Sequence, residues 1–250
     1  MTPTVHQFVP NLAAGDAIGG HVRLTERALR GAGIRSEIFY DEAQASVRGI
    51  GRHYSTFDRD RDGDGGRAWI LFHLSTGSPM ASWVLDSGIP FGVYFHNITP
   101  PAFFDRWEPG AAENLRRGLA EMRRMATGAR FALAQSSFSE RALLEAGFSP
   151  TAVAPVLVDF AEYDAPPNER MVARLRRDAA GAPRWLFVSR VAPNKCHHDV
   201  IGAFAAYREL YQPRARLTLA GGRTSNVYYR SMEGLAEELG VDDAVGFTDT

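Results

Sequence analysis

The sequence has 250 residues, 45% of them hydrophobic, and a formal net charge of −1 from 28 basic and 29 acidic side chains. This length suffices for one large or two medium-sized domains, and the near-zero charge gives no general reason to expect a nucleic acid as a partner. No run approaches the roughly 18 apolar residues of a membrane-spanning helix, no signal-peptide pattern opens the sequence, and the single cysteine, Cys196, excludes an internal disulfide. We therefore expect a soluble cytoplasmic protein.

Strand-like and helix-like segments alternate along the first part of the chain, which predicts an α/β fold with parallel sheets. Strands are predicted at residues 5–9, 36–40, 68–73, 91–95, 131–135 and 152–158, and helices at residues 20–32, 114–127 and 137–146. Gly33 and Gly147 stand where the first and third of these helices should end.

The loop between the first strand and the first helix contains the paired glycines Gly19 and Gly20. Such a pair allows a ligand to approach the backbone at a helix N-terminus, although a plain tight turn explains it equally well. The spacing is not G-x-G-x-x-G, so the sequence lacks the dinucleotide fingerprint at this position.

Two further loops follow buried strands directly. His96 and Asn97 come after the strand at 91–95, with Thr99 next to two prolines, and Ser75 follows the strand at 68–73. In open α/β sheets, ligands bind at the carboxyl ends of the strands. The loop at 75–79 is explained as well by a helix cap with proline at the first helical position.

A linker at residues 159–168, with two prolines and several acids, predicts domains at 1–160 and 161–250. The second part has predicted strands at 185–189, 216–220 and 244–247 and helices at 199–210 and 227–239. A nucleotide-binding domain of this class usually has more strands. We therefore expect the second domain to be incomplete, with a ligand loop cut off at Asp249 and Thr250.

The segment at 185–201 carries the strongest functional signal. A buried strand leads into a loop with Arg190, Pro193 and Lys195, and a helix follows with Asp199 as a plausible cap. Two cations thus lie beside a helix N-terminus, where free backbone N–H groups attract phosphate. An arginine fork and a mobile lysine charge both suit a diphosphate.

This strand–R-x-x-P-x-K–helix element resembles that of retaining glycosyltransferases of the GT-B fold, family 4 (glycosyl transferases group 1). The glycine pair, the His-Asn run followed by Thr-Pro, and a glycine turn at Gly221 and Gly222 are similar to loops of that family. The resemblance implies two Rossmann-like domains that face a cleft, an acceptor domain at 1–160 and a partial donor domain at 161–250. It implies transfer of a hexose from a nucleoside diphosphate sugar to an acceptor hydroxyl with retained configuration, without a metal or another cofactor.

The resemblance also implies roles for individual residues. Arg190, Lys195, Gly19 and Gly20 would hold the donor diphosphate, and His96 would act in catalysis by contacting the donor sugar. Five more residues are placed in the substrate cleft: Ser75, Asn97, Thr99, Gly221 and Gly222. The acceptor would be a glycan, a lipid-linked molecule or a small molecule. Weak peripheral membrane contact through the four arginines of the helix at 114–127 is a further expectation, although a solvated face explains them better.

One feature of the family is missing. Its members carry two glutamates eight residues apart in the donor domain, whereas Glu113 and Glu121 have that spacing in the first domain, which we interpret as coincidence. The 250 residues alone are therefore expected to lack activity. Two other functions stay open: a non-catalytic sugar-nucleotide or partner-binding module, and a Rossmann-type enzyme that uses NAD or modifies a sugar nucleotide.

No metal site is predicted. The acidic run Asp58, Asp60 and Asp62 matches the start of a calcium loop, but its twelfth position is Trp69 rather than a glutamate, so we interpret the run as a solvated loop. The adjacent His197 and His198 should point in different directions and have no visible partner cluster.

Overall fold

The computed structural model describes residues 3–179, 181–223 and 225–248, which form two compact units. The first unit contains residues 1–100 and 113–163, and the second contains residues 101–112 and 164–250. Nothing in the sequence indicates that residues 101–112 group with the second unit. The expected ligand loop at Asp249 and Thr250 lies outside the described residues.

The first unit is built on a seven-stranded sheet with the order β3-β2-β1-β4-β5-β6-β7. Its strands are β1 (Val5–Leu12), β2 (Ile38–Ala43), β3 (Arg52–His53), β4 (Trp69–Leu74), β5 (Phe91–Phe95), β6 (Ala132–Ala134) and β7 (Thr151–Val153). Every adjacent pair is parallel, which confirms the predicted α/β class. In β4 and β5 almost every side chain is buried, as expected for strands covered on both faces.

The helices of the first unit are α1 (Ala17–Gly31), α2 (Arg59–Asp62), α3 (Pro79–Asp86), α5 (Ser137–Glu145) and, from Glu113 onward, α4 (Pro109–Met125). Gly33 and Gly147 follow the ends of α1 and α5 with φ of 75° and 94°, so both predicted helix ends are confirmed. Helix α3 confirms the alternative interpretation of the loop at 75–79, a helix cap with proline at the first helical position. Its start is capped by the Ser78 hydroxyl, which accepts from the Met80 N–H, with Pro79 at the first turn.

The second unit contains a three-stranded parallel sheet with the order β10-β9-β8. Its elements are α6 (Glu169–Ala179), β8 (Arg184–Val188), α7 (His197–Leu210), β9 (Arg216–Ala220), α8 (Asn226–Glu238) and β10 (Val245–Phe247). Helix α6 was not predicted, and α7 begins two residues earlier than predicted. Asp199 lies inside the first turn of α7, so its predicted role as the cap is wrong.

The prediction that β8 is buried is correct for only one of its faces. Trp185 and Phe187 pack against the core of the second unit, whereas Leu186 and Val188 are 67% and 70% exposed. Alternate residues of a strand point to opposite faces. No described element packs on the face that carries Leu186 and Val188.

No helix among the described residues combines the length and the apolar character needed to cross a bilayer.

Helix α4 approaches the loop after β4 unusually closely. A Cβ atom added at Gly118 would lie 2.7 Å from the Gly77 nitrogen and 2.8 Å from the Thr76 carbonyl carbon. The Asn114 amide donates to the Thr76 hydroxyl at 2.9 Å, and the Ser78 N–H donates to the buried Glu121 carboxylate at 3.0 Å. This close packing holds the loop at the carboxyl end of β4 in place.

We predict that Gly118→Ala destabilises the protein by about 1–3 kcal/mol, because the added methyl group meets backbone atoms that cannot rotate away. Gly110→Ala in the same helix is the matched control, since nothing lies within 4 Å of its added Cβ atom. Urea unfolding followed by circular dichroism measures both variants. Equal stability of the two variants would contradict the proposed close contact.

Candidate functional site

In the first unit, the candidate site lies where β4 and β5 end side by side. Leu74 and Phe95 are partners in the sheet register, and the His96 N–H donates to the Leu74 carbonyl at 2.9 Å. Asn97 is exposed and adopts a left-handed conformation with φ of 70°, which asparagine tolerates better than most residues. The structure thus places His96 and Asn97 at the predicted sheet edge, and Thr99 follows half-buried.

A buried hydrogen-bond chain determines the protonation of His96. The Gln7 amide nitrogen donates to the Val22 carbonyl at 2.9 Å, so its oxygen must accept the 3.0 Å bond from Nε2 of His73. A neutral His73 then accepts at Nδ1, and Nε2 of His96 donates to it at 2.9 Å. Nδ1 of His96 therefore carries a lone pair, and it is buried without a hydrogen-bond partner among the described residues.

His21 completes this histidine cluster, which we define as His21, His73 and His96. Its ring centre lies 5.3 Å from that of His96 and 5.7 Å from that of His73. Its Nδ1 accepts from the Leu157 N–H at 3.0 Å. His21 directly follows Gly19 and Gly20, so α1 carries both the glycine pair and one member of the cluster.

Burial keeps the three imidazoles neutral. It lowers the pKa of His21 to about 4, and burial together with the nearby His21 lowers the pKa of His96 to about 3. Burial also holds the pKa of His73 well below its ordinary value. The ring nitrogens of the cluster come within 4.8 Å of one another. Hydrogen bonds already use both nitrogens of His73, however, so the cluster is better explained as a hydrogen-bond network than as a metal site.

The structure corrects the expected use of the glycine pair. Gly19 and Gly20 lie in the first turn of α1 rather than in a loop, and Asp16 accepts from both of their N–H groups, at 3.3 Å and 2.9 Å. A Cβ atom at Gly19 would lie 2.6 Å from the Ala13 oxygen, whereas Gly20 faces open space. A diphosphate near this pair would thus gain close approach at Gly20, but no free N–H donor from either glycine.

Gly20 opens onto a cavity of about 300 Å³ within the first unit. Arg23, Arg27, Leu157 and Asp159 also line it, and Arg27 pairs with Asp159 at 3.3 Å. Both signs of charge and an apolar side chain are present, a mixture that suits a polar uncharged ligand such as a sugar.

The other residues around this edge have structural contacts. Ser75 is half-buried in the loop held by α4. Glu121 is buried and bonded to the Ser78 N–H, whereas the Glu113 side chain is 76% exposed and lies 3.6 Å from Arg116. The two glutamates therefore serve separate structural purposes.

The acidic run after β3 is solvated at Asp58 and Asp60, as expected from the sequence, but not at Asp62. Asp62 is fully buried, and its carboxylate accepts from Arg52 at 2.9 Å, Arg61 at 3.0 Å and the Asp58 N–H at 2.9 Å. Burial alone would raise the pKa of Asp62, but the two arginines and this N–H hold it well below the ordinary value. The interpretation was wrong for Asp62 because its arginine partners are not recognisable from spacing.

In the second unit, Arg190 and Lys195 lie in the short connection between β8 and α7. Both side chains are exposed, and no ion pair or hydrogen bond joins either of them to another residue in the described part of the chain. The residue before α7 is Cys196, whose side chain does not cap the helix. Two cations thus flank a helix N-terminus that the Cys196 side chain leaves uncapped, an arrangement that favours anions.

The loop after β9 packs directly against this connection. Gly221 has φ of 145°, and a Cβ atom there would lie 2.1 Å from the Ser189 oxygen. The Val191 N–H donates to the Gly222 carbonyl at 2.9 Å. The structure therefore brings Gly221 and Gly222 next to Arg190, as expected for loops at one edge of a parallel sheet.

No protein-family model matches the sequence, and no curated protein sequence is significantly similar to it.

Solved structures of glycosyltransferases share the fold. HepE of Anabaena, solved with UDP and glucose, aligns with 97% of this chain and 68% of its own at a TM-score of 0.67 and 18% identity. WaaG, a glycosyltransferase of lipopolysaccharide biosynthesis, aligns with 98% of this chain and 69% of its own, at a TM-score of 0.64 and 12% identity. A UDP-forming α,α-trehalose-phosphate synthase from Burkholderia vietnamiensis aligns over 100% of this chain and 74% of the synthase chain. The TM-score is 0.64 and the sequence identity is 14%. The fold is therefore of the GT-B type, as the sequence predicts.

The histidine cluster should make stability depend on pH. The pKa values of His21 and His96 are lowered from 6.5 to about 4 and about 3. At a pH between about 6.5 and these lowered pKa values, the unfolded chain binds protons that the folded chain does not. Stability is therefore lost as the pH falls below about 6.5. Each histidine contributes up to about 1.4 kcal/mol per pH unit in that range.

Urea unfolding between about pH 7 and pH 5 measures this dependence. We expect a shallower slope for His21→Gln than for the wild type, and an unchanged slope for His53→Gln, whose ring lies outside the cluster. A His21→Gln slope equal to that of the wild type would show that His21 is not held neutral.

Proposed function

We propose that this protein is a glycosyltransferase that transfers a hexose from a nucleoside diphosphate sugar to an acceptor hydroxyl with retained configuration. The exposed pair Arg190 and Lys195 at the start of α7 is the observation that carries the proposal. The fold supports it, because HepE, which shares the fold, was solved with UDP-glucose. The anomeric configuration of the product, read by proton NMR, tests retention.

The chemistry of the second unit suits the leaving group of such a reaction. A nucleoside diphosphate gains negative charge as the bond to the sugar breaks, and cations placed beside it stabilise that charge. Arginine offers two parallel donors and lysine a mobile charge. In this proposal these two side chains supply the positive charge, and transfer needs no metal ion.

The chemistry of the first unit suits a hydroxyl group. Nδ1 of His96 is a neutral acceptor without a partner among the described residues. An uncharged acceptor does not attract phosphate, but it can accept a hydrogen bond from a sugar hydroxyl that reaches it. We propose this contact as the role of His96 in the reaction. The cavity beside Gly20, which contains charges of both signs, is a candidate for the acceptor sugar. In this proposal the acceptor is a glycan, a lipid-linked molecule or a small molecule.

The first test concerns the diphosphate. Arg190→Ala and Lys195→Ala should each weaken binding of a nucleoside diphosphate by about 1.5–3 kcal/mol, the range for hydrogen bonds to charged groups. Isothermal titration calorimetry with UDP and with GDP measures the affinity. Arg230→Ala, which removes another exposed cation of the second unit, is the control and should bind normally. Unchanged affinity in both test variants, with the fold intact, would overturn the assignment.

The second test separates the two nitrogens of His96. In His96→Gln, the amide nitrogen of the glutamine can replace Nε2 as the donor to His73, but no acceptor is left at the position of Nδ1. In His96→Asn, an acceptor can remain near Nδ1 while the donor to His73 is lost. Turnover is measured in the complete gene product, because the 250 residues alone are expected to lack activity. We expect His96→Gln to lower turnover with a sugar nucleotide more than it lowers affinity for the free nucleoside diphosphate, because the lost contact is to the sugar.

The His96→Asn variant provides the comparison. It should lose more stability than His96→Gln, because Nδ1 of His73 loses its donor. If turnover follows thermal stability across the two variants, His96 is structural. If the complete gene product binds sugar nucleotides but transfers no sugar to any acceptor, the alternative of a non-catalytic binding module is correct.

A further inference from the structure

The start of α7 contains a cluster of side chains that the proposed transfer reaction does not use. His197 points into the core of the second unit, where it is fully buried, with its ring 5.1 Å from that of Phe187. His198 and Asp199 are exposed on the outer side of the helix, and Cys196 is half-buried just before it. The two adjacent histidines thus point in different directions, as the sequence predicts.

Three potential metal ligands converge on the outer side of this helix start. Cys196 Sγ, a ring nitrogen of His198 and a carboxylate oxygen of Asp199 all lie within 4.8 Å of one another. Nε2 of His198 is 3.7 Å from Oδ1 of Asp199. Two ligands of a tetrahedral zinc ion lie roughly 3.3–3.6 Å apart. The three side chains therefore need only small rotations to surround one ion, and their exposure permits those rotations.

A buried hydroxyl orients the His198 ring. Nδ1 of His198 lies 3.0 Å from the Tyr228 hydroxyl oxygen, and Tyr228 is fully buried. The direction of this hydrogen bond depends on the His198 tautomer. In the tautomer with its hydrogen on Nδ1, the ring donates to the tyrosine oxygen and Nε2 has a lone pair near Asp199. Metal-bound histidines usually have such a partner at the other ring nitrogen, which fixes both the tautomer and the ring orientation.

We propose that Cys196, His198 and Asp199 bind one zinc-like divalent ion, with water as the fourth ligand. Thiolate, imidazole and carboxylate together match zinc, whereas magnesium and calcium prefer oxygen ligands alone. On binding, the thiol proton passes to solvent, and the thiolate and carboxylate balance the charge of the ion. The proposal does not depend on the proposed transferase activity, because Lys195 and Arg190 are not ligands.

The first measurement is zinc binding to the full 250-residue chain by calorimetry and by competition with a chromophoric chelator. The wild type should bind one zinc ion. Cys196→Ser, His198→Gln and Asp199→Asn should each weaken binding by about tenfold or more, since even the loss of a supporting residue costs that much. Glu209→Gln, which removes an exposed acid near the other end of α7, is the matched control and should bind like the wild type.

The second measurement needs no variant. Cys196 is the only cysteine, so the rate at which a thiol reagent reacts reports on this site alone. Zinc should slow the reaction strongly, and magnesium at the same concentration should not. Cobalt should give a thiolate charge-transfer absorption in the wild type that Cys196→Ser lacks. Unchanged thiol reactivity with zinc, equal protection by magnesium, or equal zinc affinity in all variants would each overturn the proposal.

Discussion

The amide of Gln7 has only one orientation that satisfies its surroundings, and the chemistry of the first unit depends on it. Its nitrogen must face the Val22 carbonyl, so its oxygen faces His73, and the hydrogens of His73 and His96 are then assigned in turn. This chain joins β1, β4, α1 and the loop after β5 through buried polar groups. Removal of any member would leave a partner buried and unsatisfied, which is costly.

Much of the fold could be predicted from the sequence because its main signals are local. Buried strands have apolar runs in the sequence. Gly33 and Gly147 follow helix ends because glycine adopts positive φ easily. Helix α3 was predicted only as an alternative, because its capping serine and proline also suit a ligand loop. The exposed face of β8 was missed because an apolar run predicts a strand without showing what packs on each face of it.

The site could be predicted where a residue directly follows a strand, as His96 and Arg190 do. Gln7, His21 and His73 were missed, although polar residues inside buried strands were a usable signal for two of them. Their roles depend on partners on neighbouring strands and on a helix, and these pairings come from register rather than from spacing. The same reason explains Asp62 of α2, whose burial depends on Arg52 of β3.

The candidate site residues of the two units differ in charge and exposure, and this difference determines which part of a ligand each can bind. Burial keeps the clustered histidines of the first unit neutral. At neutral pH they can therefore donate and accept hydrogen bonds but cannot balance the negative charge of a diphosphate. The second unit presents Arg190 and Lys195 exposed, where their attraction for an anion is long-ranged but screened by salt. Exposed cations therefore suit capture of a charged nucleotide, while a buried neutral acceptor suits discrimination among hydroxyl groups, since a missing hydroxyl leaves that acceptor unpaired.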